Sequence, residues 1–384
     1  MMRLNILKAV AALCLTGLPP SHGQAADIEK IVSQTIRPMM QQHAIPGMAV
    51  AIVADGKRTI YEFGVMSKAT GKPVTRDTLF EIGSVSKTFT VTLASVAEVG
   101  GHLSLSDPAS RHLSALRGSS FDKVSLLDLA THTSGGLPLQ FPGSVTNDEQ
   151  MMRYFREWKP THTPGTVRTY ANPSVGLLGL IAARSLNDGF DALMERRVIQ
   201  PLGLKRTYLQ VPKTAMPDYA QGYTRQDAPA RMMPGLRASE AYGVKTTAGD
   251  LLRFIEAQMG LVPVDPDLQR AILATHTGYY RVGRMTQDLI WEQYAYPVDL
   301  KDLLLGNSST MSLGANPVER IDPPSRPRDD VWINKTGSTN GFGSYVAFVP
   351  VRKIGIVLLA NKNYPNEARV TAAHAIVTQL TGKP

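Results

Sequence analysis

With 384 residues and one cysteine, Cys14, the chain cannot be held by disulfides and depends on a hydrophobic core, which this length can bury. Lys and Arg total 41 against 32 Asp and Glu, a net charge of +9, but no basic run concentrates it and no aromatics interleave with it. That pattern argues against nucleic-acid binding and for a solvated basic surface suited to anionic small substrates.

The N-terminus comes first. Arg3 and Lys8 flank the start of an apolar run, Ala9 to Leu18, and Gly23-Gln-Ala25 is a small-x-small cleavage signal before Ala26. A membrane span needs about 20 apolar residues, so residues 1–25 predict a cleaved secretory signal peptide and a periplasmic mature chain. Cys14 lies inside this segment after a leucine, not after the small residue of a lipoprotein signal, so the mature chain carries no thiol. From Ala26 there is no repeat, heptad run or Pro/Ser-rich linker, and residues 26–384 read as one unit. Ile28, Ile31, Val32, Ile36 and Met39 recur at helical spacing over Asp27 to Met40, with Pro38 as the expected stop. Met48 to Ala54, Asp55-Gly56 and Lys57 to Gly64 spell a β-hairpin, because Asp-Gly supplies the positive φ angles of a tight turn.

The stretch GSVSKTFT, Gly83 to Thr90, follows an apolar run and opens a helix. Ser84 and Lys87 are three apart, which on a helix puts both side chains on one face with the amine in reach of the hydroxyl. Unpaired N–H groups in a first helical turn favour developing negative charge. A serine becomes a nucleophile when a base takes its proton, and a lysine is such a base only with a lowered pKa. Alone the pair also fits a capped helix with a solvated lysine, and Ser120-Phe-Asp-Lys123 matches the same spacing. Residues of about 101 to 170 are punctuated by Gly135-Gly136, Pro142-Gly143 and Pro164-Gly165 and read as an inserted helical subdomain; about 26–100 and 171–384 form the sheet subdomain. Tyr170-Ala-Asn172 follows, offering a phenol as general base and an amide as bridge. Lys335-Thr-Gly337 comes after a strand-like run and could hold a carboxylate, its glycine letting ligand approach the backbone. A second hairpin, Gly343 to Val349 and Ile354 to Ala360, precedes a closing helix from about Glu367. Mixed α/β architecture follows, with a central antiparallel sheet flanked by helices and its first and last segments adjacent.

Ser-x-x-Lys, Tyr-x-Asn and Lys-Thr-Gly in this order resemble the active-site set of the serine penicillin-recognising proteins. Tyr-x-Asn in place of Ser-Asp-Asn, and the absence of Glu-x-x-Leu-Asn, resemble class C, the cephalosporinases. Phe80 to Lys87, Gly136 to Phe141, Glu240 to Lys245, Asn334 to Gly343 and Asn361 to Arg369 extend the likeness along the mature chain. The resemblance implies a β-lactamase/transpeptidase-like fold and a monomeric periplasmic hydrolase that needs no cofactor and acts on small β-lactams. It makes Ser84 the acylated nucleophile, Lys87 and Tyr170 its base network, and Lys335 the cation that tunes Tyr170. It makes the N–H groups of Ser84 and Ser338 the oxyanion hole. It also implies substrate contacts from Gln140, Asn172, Tyr242, Thr336, Gly337, Asn366 and Arg369.

Some positions depart from the family. His132 stands where many class C members have tyrosine and reads as a packing residue. Arg237 and Ser239 sit in the loop that shapes the side-chain pocket, and Asp288-Leu-Ile-Trp291 varies a usual Gly-Leu-Gly-Trp. Neither His-x-His-x-Asp nor His-Glu-x-x-His occurs, which argues against a metal mechanism. The alternatives on the same fold are a D-alanyl-D-alanine carboxypeptidase and a serine esterase; a non-catalytic wall-binding relative would lack one of Ser84, Lys87, Tyr170 or Lys335.

Overall fold

The structure is a computed structural model that describes residues 22–233 and 235–382. The expected signal peptide lies outside the described residues except for its last four, which form the first turn of helix α1, His22–Gln42. Nine strands make one antiparallel sheet: β1 Gly47–Ala54, β2 Lys57–Gly64, β3 Gly278–Val282, β4 Met285–Gln287, β5 Glu292–Ala295, β6 Glu319–Ser325, β7 Val331–Ser338, β8 Gly343–Val349 and β9 Ile354–Ala360. Their spatial order is β6-β3-β4-β5-β7-β8-β9-β1-β2, so the chain's first and last strands meet in the register Met48 to Ala360. The first hairpin turns at Asp55 and Gly56, both at positive φ, and the second through Pro350–Arg352 to Lys353 at φ 48°.

Period-two alternation sorts the central strands between two helical layers. From β1, Ala49, Ala51 and Val53 face one core while Met48, Val50 and Ile52 face the other; β9 splits the same way, with Val357 and Leu359 opposite Ile356 and Leu358. The first core is closed by helix α4, Ala248–Gln258, and by Phe89 and Leu93 of helix α2, Ser86–Val99. The second is closed by α1 and by helix α5, Asn366–Thr381. A third core lies off the sheet and joins α2, helix α3 (Asn172–Ser185) and the segment between them, with Leu289 and Ile290 inserted from across the chain.

One local expectation is corrected. Pro38 does not stop α1, which runs on to Gln42. The lost N–H bond is outweighed because Val32, Ile36 and Met39 bury one continuous face against the sheet. Ile290 takes a φ of 66°, a left-handed conformation that disfavours a β-branched residue. Its N–H bonds Ala130 O at 2.9 Å and its side chain fills the third core, so packing holds the strain. Asp288 beside it is buried with both carboxyl oxygens unpartnered, and burial holds its pKa well above the carboxylate range.

One contact positions everything that follows. Strand β7 runs against the 3₁₀ turn Gly83–Val85 that leads into α2. A β-carbon built on Gly337 would stand 2.0 Å from Ile82 O and 2.9 Å from Val85 N. One built on Gly83, whose φ is +50°, would stand 2.5 Å from Ser338 N. Only glycines allow backbones this close. Gly337→Ala should therefore lower stability by about 2 kcal/mol in urea unfolding, because both neighbouring atoms are backbone and cannot yield. An alanine variant as stable as the parent would show that the strand and turn are not locked.

Candidate active site

Ser84 sits half-buried on the turn, and Lys87 projects from the first turn of α2 without solvent exposure. Its ammonium donates to Ser84 Oγ at 2.9 Å and to the Ala241 carbonyl at 2.8 Å. Burial is the main force that lowers its pKa from 10.5 to about 8; Tyr170 opposes the shift, and the charge of Lys335 adds to it. Tyr170 reaches the same place from the short strand Val167–Thr169, just before α3. Its phenol oxygen is buried without a hydrogen-bond partner of good geometry, beside Ser84 and Lys87. Burial would raise its pKa, but the charges of Lys335 and then Lys87 reverse this and bring it from 10.0 to about 8. Both lysine nitrogens lie 5.1 Å from the centre of the Tyr170 ring, and the Arg168 guanidinium lies 5.5 Å from it.

Lys335 is 2% exposed on β7, with its ammonium 3.6 Å from Glu292 Oε1 of β5 and 3.2 Å from Thr336 O. Ser84, Tyr170, Lys335, Thr336, Gly337, Ser338 and Asn366 all line one cavity of about 1050 Å³. The Ser338 backbone lies directly beside the serine turn at Gly83, the arrangement two convergent N–H donors need. Asn172 opens α3 beside Tyr170; it is 8% exposed and its Oδ1 has no partner. Gln140 is exposed and follows Leu139, a cavity residue whose carbonyl accepts the Asn172 N–H at 3.0 Å. Tyr242, half-buried, follows the carbonyl that holds Lys87.

Arg369 is placed differently from the expectation. It is fully buried and its guanidinium donates to backbone: Nη1 to Gly337 O at 2.5 Å and Ser344 O at 3.1 Å, and Nη2 to Tyr364 O. Nη1 also reaches Ser338 Oγ at 3.1 Å, so the side chain props β7 from behind and does not line the cavity. Asn366, from the same helix, does line it, and its Nδ2 donates to Asn307 O at 3.3 Å. Arg237 at φ 58° pairs with Asp148 and, at 3.1 Å, with Glu240, so it ties its loop to the helical layer.

His132 is buried with its ring centroid 4.3 Å from that of Tyr170. Burial first, then Arg168, Lys87 and Lys335, hold its pKa well below 6.5. Its Nδ1 accepts the Ala171 N–H at 3.3 Å, so the ring is neutral and positions the backbone after Tyr170. Sequence reading missed Arg168 and Glu292: both are common charged residues in no motif, and they meet only because Val167–Thr169, paired with Ala315–Pro317, carries the Arg168 side chain to Glu292 of β5. It also missed Leu300, Leu304, Leu305, Met311 and Leu313, which line the cavity together with polar neighbours such as Lys301 and Asn307.

A family model described as "Beta-lactamase" matches residues 32–381. A β-lactamase of Pseudomonas fluorescens is 51% identical over 93% of this chain and 99% of its own length. A structure named D-alanine carboxypeptidase AmpC from Burkholderia cenocepacia superposes with a TM-score of 0.89 at 53% identity, covering 92% of this chain and 99% of that one. A class C β-lactamase in complex with cefoxitin gives 0.90 at 48% identity, with the same 92% and 99% coverage.

The strut role of Arg369 can be tested directly. Arg369→Met should cost about 3 kcal/mol of unfolding free energy, because several backbone acceptors lose a charged donor. A side chain that served only to grip a ligand would leave the urea midpoint where it was.

Proposed function

The chain belongs to the β-lactamase family, among class C enzymes, and on that premise we propose that it is a monomeric periplasmic cephalosporinase that confers β-lactam resistance through an acyl-enzyme on Ser84. One catalytic domain from Ala26 onward carries the reaction. The supporting observation is the 2.9 Å contact between Ser84 Oγ and a buried Lys87 ammonium, beside a phenol flanked by two lysines.

Binding comes first. The charged side chains lining the cavity are Arg168, Arg225, Lys301 and Lys335 against Glu292 and Glu367, an excess of positive charge that draws in the carboxylate of a β-lactam. Lys335 and Thr336 face that carboxylate, while Asn172 and Gln140 face the acyl-amide side chain. Asn172 Oδ1, buried and unpartnered, is an acceptor ready for an amide N–H. Asn366 and Tyr242 border the two ends of the ligand.

In acylation, Ser84 Oγ attacks the lactam carbonyl carbon and its proton passes to the Lys87–Tyr170 pair. The carbonyl π electrons move to oxygen, where the Ser84 and Ser338 N–H groups receive the charge; each such donor contributes on the order of 3 kcal/mol. Collapse breaks the C–N bond, and the ring nitrogen takes the proton back from the same pair. In deacylation a water gives its proton to the Tyr170 phenolate and attacks the ester carbon; collapse breaks the bond to Ser84 Oγ, which takes that proton back from the Lys87–Tyr170 pair and leaves as the alcohol. With a pKa of about 8 the phenol is partly ionised close to neutral pH, so its phenolate can accept that proton where an ordinary tyrosine, almost wholly protonated, would not.

The second reading is a D-alanyl-D-alanine carboxypeptidase, favoured by the name of the Burkholderia cenocepacia structure. Acylation would be the same; the two differ in the fate of the acyl-enzyme. Purified mature protein should turn over nitrocefin continuously, and quenched samples should carry a cephalosporin-derived mass on Ser84. Ser84→Ala should fold and lose turnover, and Tyr170→Phe should lower kcat by about 100-fold or more with a smaller change in KM. A stoichiometric burst without turnover would favour the carboxypeptidase, and retained hydrolysis by Ser84→Ala would end both readings.

A further inference from the structure

The proposed chemistry rests on cations gathered around Tyr170, and cations crowded in a dry site repel one another. Three are present: Lys87, Lys335 and Arg168, with ring-centre distances of 5.1, 5.1 and 5.5 Å. The neutral His132 ring lies on the same phenol. One carboxylate faces this group from the sheet. Glu292, 3% exposed at the start of β5, accepts from Arg168 NH2 at 3.1 Å and stands 3.6 Å from Lys335 Nζ through the same oxygen, Oε1. Its other oxygen, Oε2, is buried and unpartnered. Arg168 is fixed further by Gln287 Oε1 at 2.6 Å and Met311 O at 2.9 Å, and Asn334 Nδ2 donates to the Glu292 carbonyl at 2.8 Å. The other titratable groups that feel Glu292 are Tyr294 and Tyr345, both held in the neutral form chiefly by burial. Glu292 therefore lies one residue away from the phenol, and it reaches Tyr170 through its two cations.

We propose that Glu292 is a positioning residue for the hydrolytic reaction: its single shared oxygen holds the Lys335 ammonium and the Arg168 guanidinium beside the Tyr170 ring and sets the net charge that the phenol experiences. This rests on Tyr170 taking part in proton transfer. A carboxylate placed elsewhere would leave two buried cations uncompensated. One placed against the phenol itself would oppose the phenolate. Glu292 satisfies both demands by standing behind the cations.

The sign of the effect follows. Glu292→Gln keeps an oxygen for Arg168 and Lys335 but removes one negative charge, so the surroundings of Tyr170 become more positive and the phenolate more favourable. In unliganded protein carrying ¹³Cζ-tyrosine, with the Tyr170 resonance identified by its loss in Tyr170→Phe, the parent midpoint should lie near 8. Glu292→Gln should lower it by about one pH unit, and the acid limb of kcat/KM for nitrocefin should move the same way. Glu292→Asp, which keeps the charge, should restore the parent midpoint. A midpoint that stays put or rises in Glu292→Gln overturns the proposal, as does a loss of activity at every pH with an unmoved acid limb. Should Glu292→Gln fail to fold, the double variant Glu292→Gln/Arg168→Met removes one charge of each sign and should titrate like the parent; a displaced midpoint there overturns it equally. If Tyr170→Phe hydrolyses nitrocefin at the parent rate, the assigned role of Tyr170 fails while the titration still reports on Glu292.

Discussion

A buried ammonium, Lys87, is the constraint on which this molecule turns. It is fully enclosed, it holds the Ser84 hydroxyl, and among the described residues its other hydrogen-bond acceptor is the Ala241 carbonyl. Lowering a lysine from 10.5 to about 8 costs roughly 3 kcal/mol at neutral pH, where the group is protonated folded or unfolded. Tyr170 offers no return there. Its depressed pKa stabilises the fold only as pH rises through about 8 toward 10, the window in which the unfolded chain holds more protons than the folded one. Near neutrality the site is thus carried at the expense of the rest of the chain, and the three cores must supply the difference. The two-sided sheet, buried along nearly the whole of β1, β8 and β9, gives the molecule that margin.

The same constraint explains why backbone contacts around the site are so close. A cation whose pKa depends on exclusion of water cannot sit in a loose turn. Gly83 and Gly337 let β7 close against the serine turn, Ser344 Oγ ties Ile82 O at 2.8 Å, and Arg369 braces the strand from behind. Preorganisation of the two backbone donors and desolvation of the lysine are one structural act. Charged groups outside the motifs complete it, since Arg168 and Glu292 settle the field in which Tyr170 and Lys335 work.

Much of this was legible in the chain. Hairpins announced themselves by Asp-Gly and by strict alternation, because turn chemistry and the two-residue period are local properties. Ser84, Lys87, Tyr170 and Lys335 could be picked out because each belongs to a short motif whose residue types suit one chemistry. What stayed hidden depends on tertiary contact. Pro38 looked like a stop until the buried face of α1 outweighed it. Arg369 looked like a ligand cation, and nothing local shows that its guanidinium turns inward to backbone carbonyls. Arg168 and Glu292 lie more than a hundred residues apart in no motif, so their pairing is a product of folding alone.

Lactamase and carboxypeptidase readings share every group that builds the acyl-enzyme, and this bears on where selectivity resides. An ester on Ser84 is hydrolysed only if water reaches its carbon while a base stands ready on the same side. The base is present: a phenol near pKa 8 gives up little driving force at neutral pH, and the adjacent ammonium favours its anion. Access is then the deciding variable. The cavity of about 1050 Å³ leaves room for water beside a bound acyl group, and its wall of Leu304, Leu305 and Met311 shapes how that group is turned. On the proposed mechanism a cephalosporin remnant and a peptidyl remnant would carry different bulk into that wall, so water access to the ester is where the two readings divide. On that reading the buried cations govern acylation, and the cavity around them governs how long the acyl-enzyme lasts.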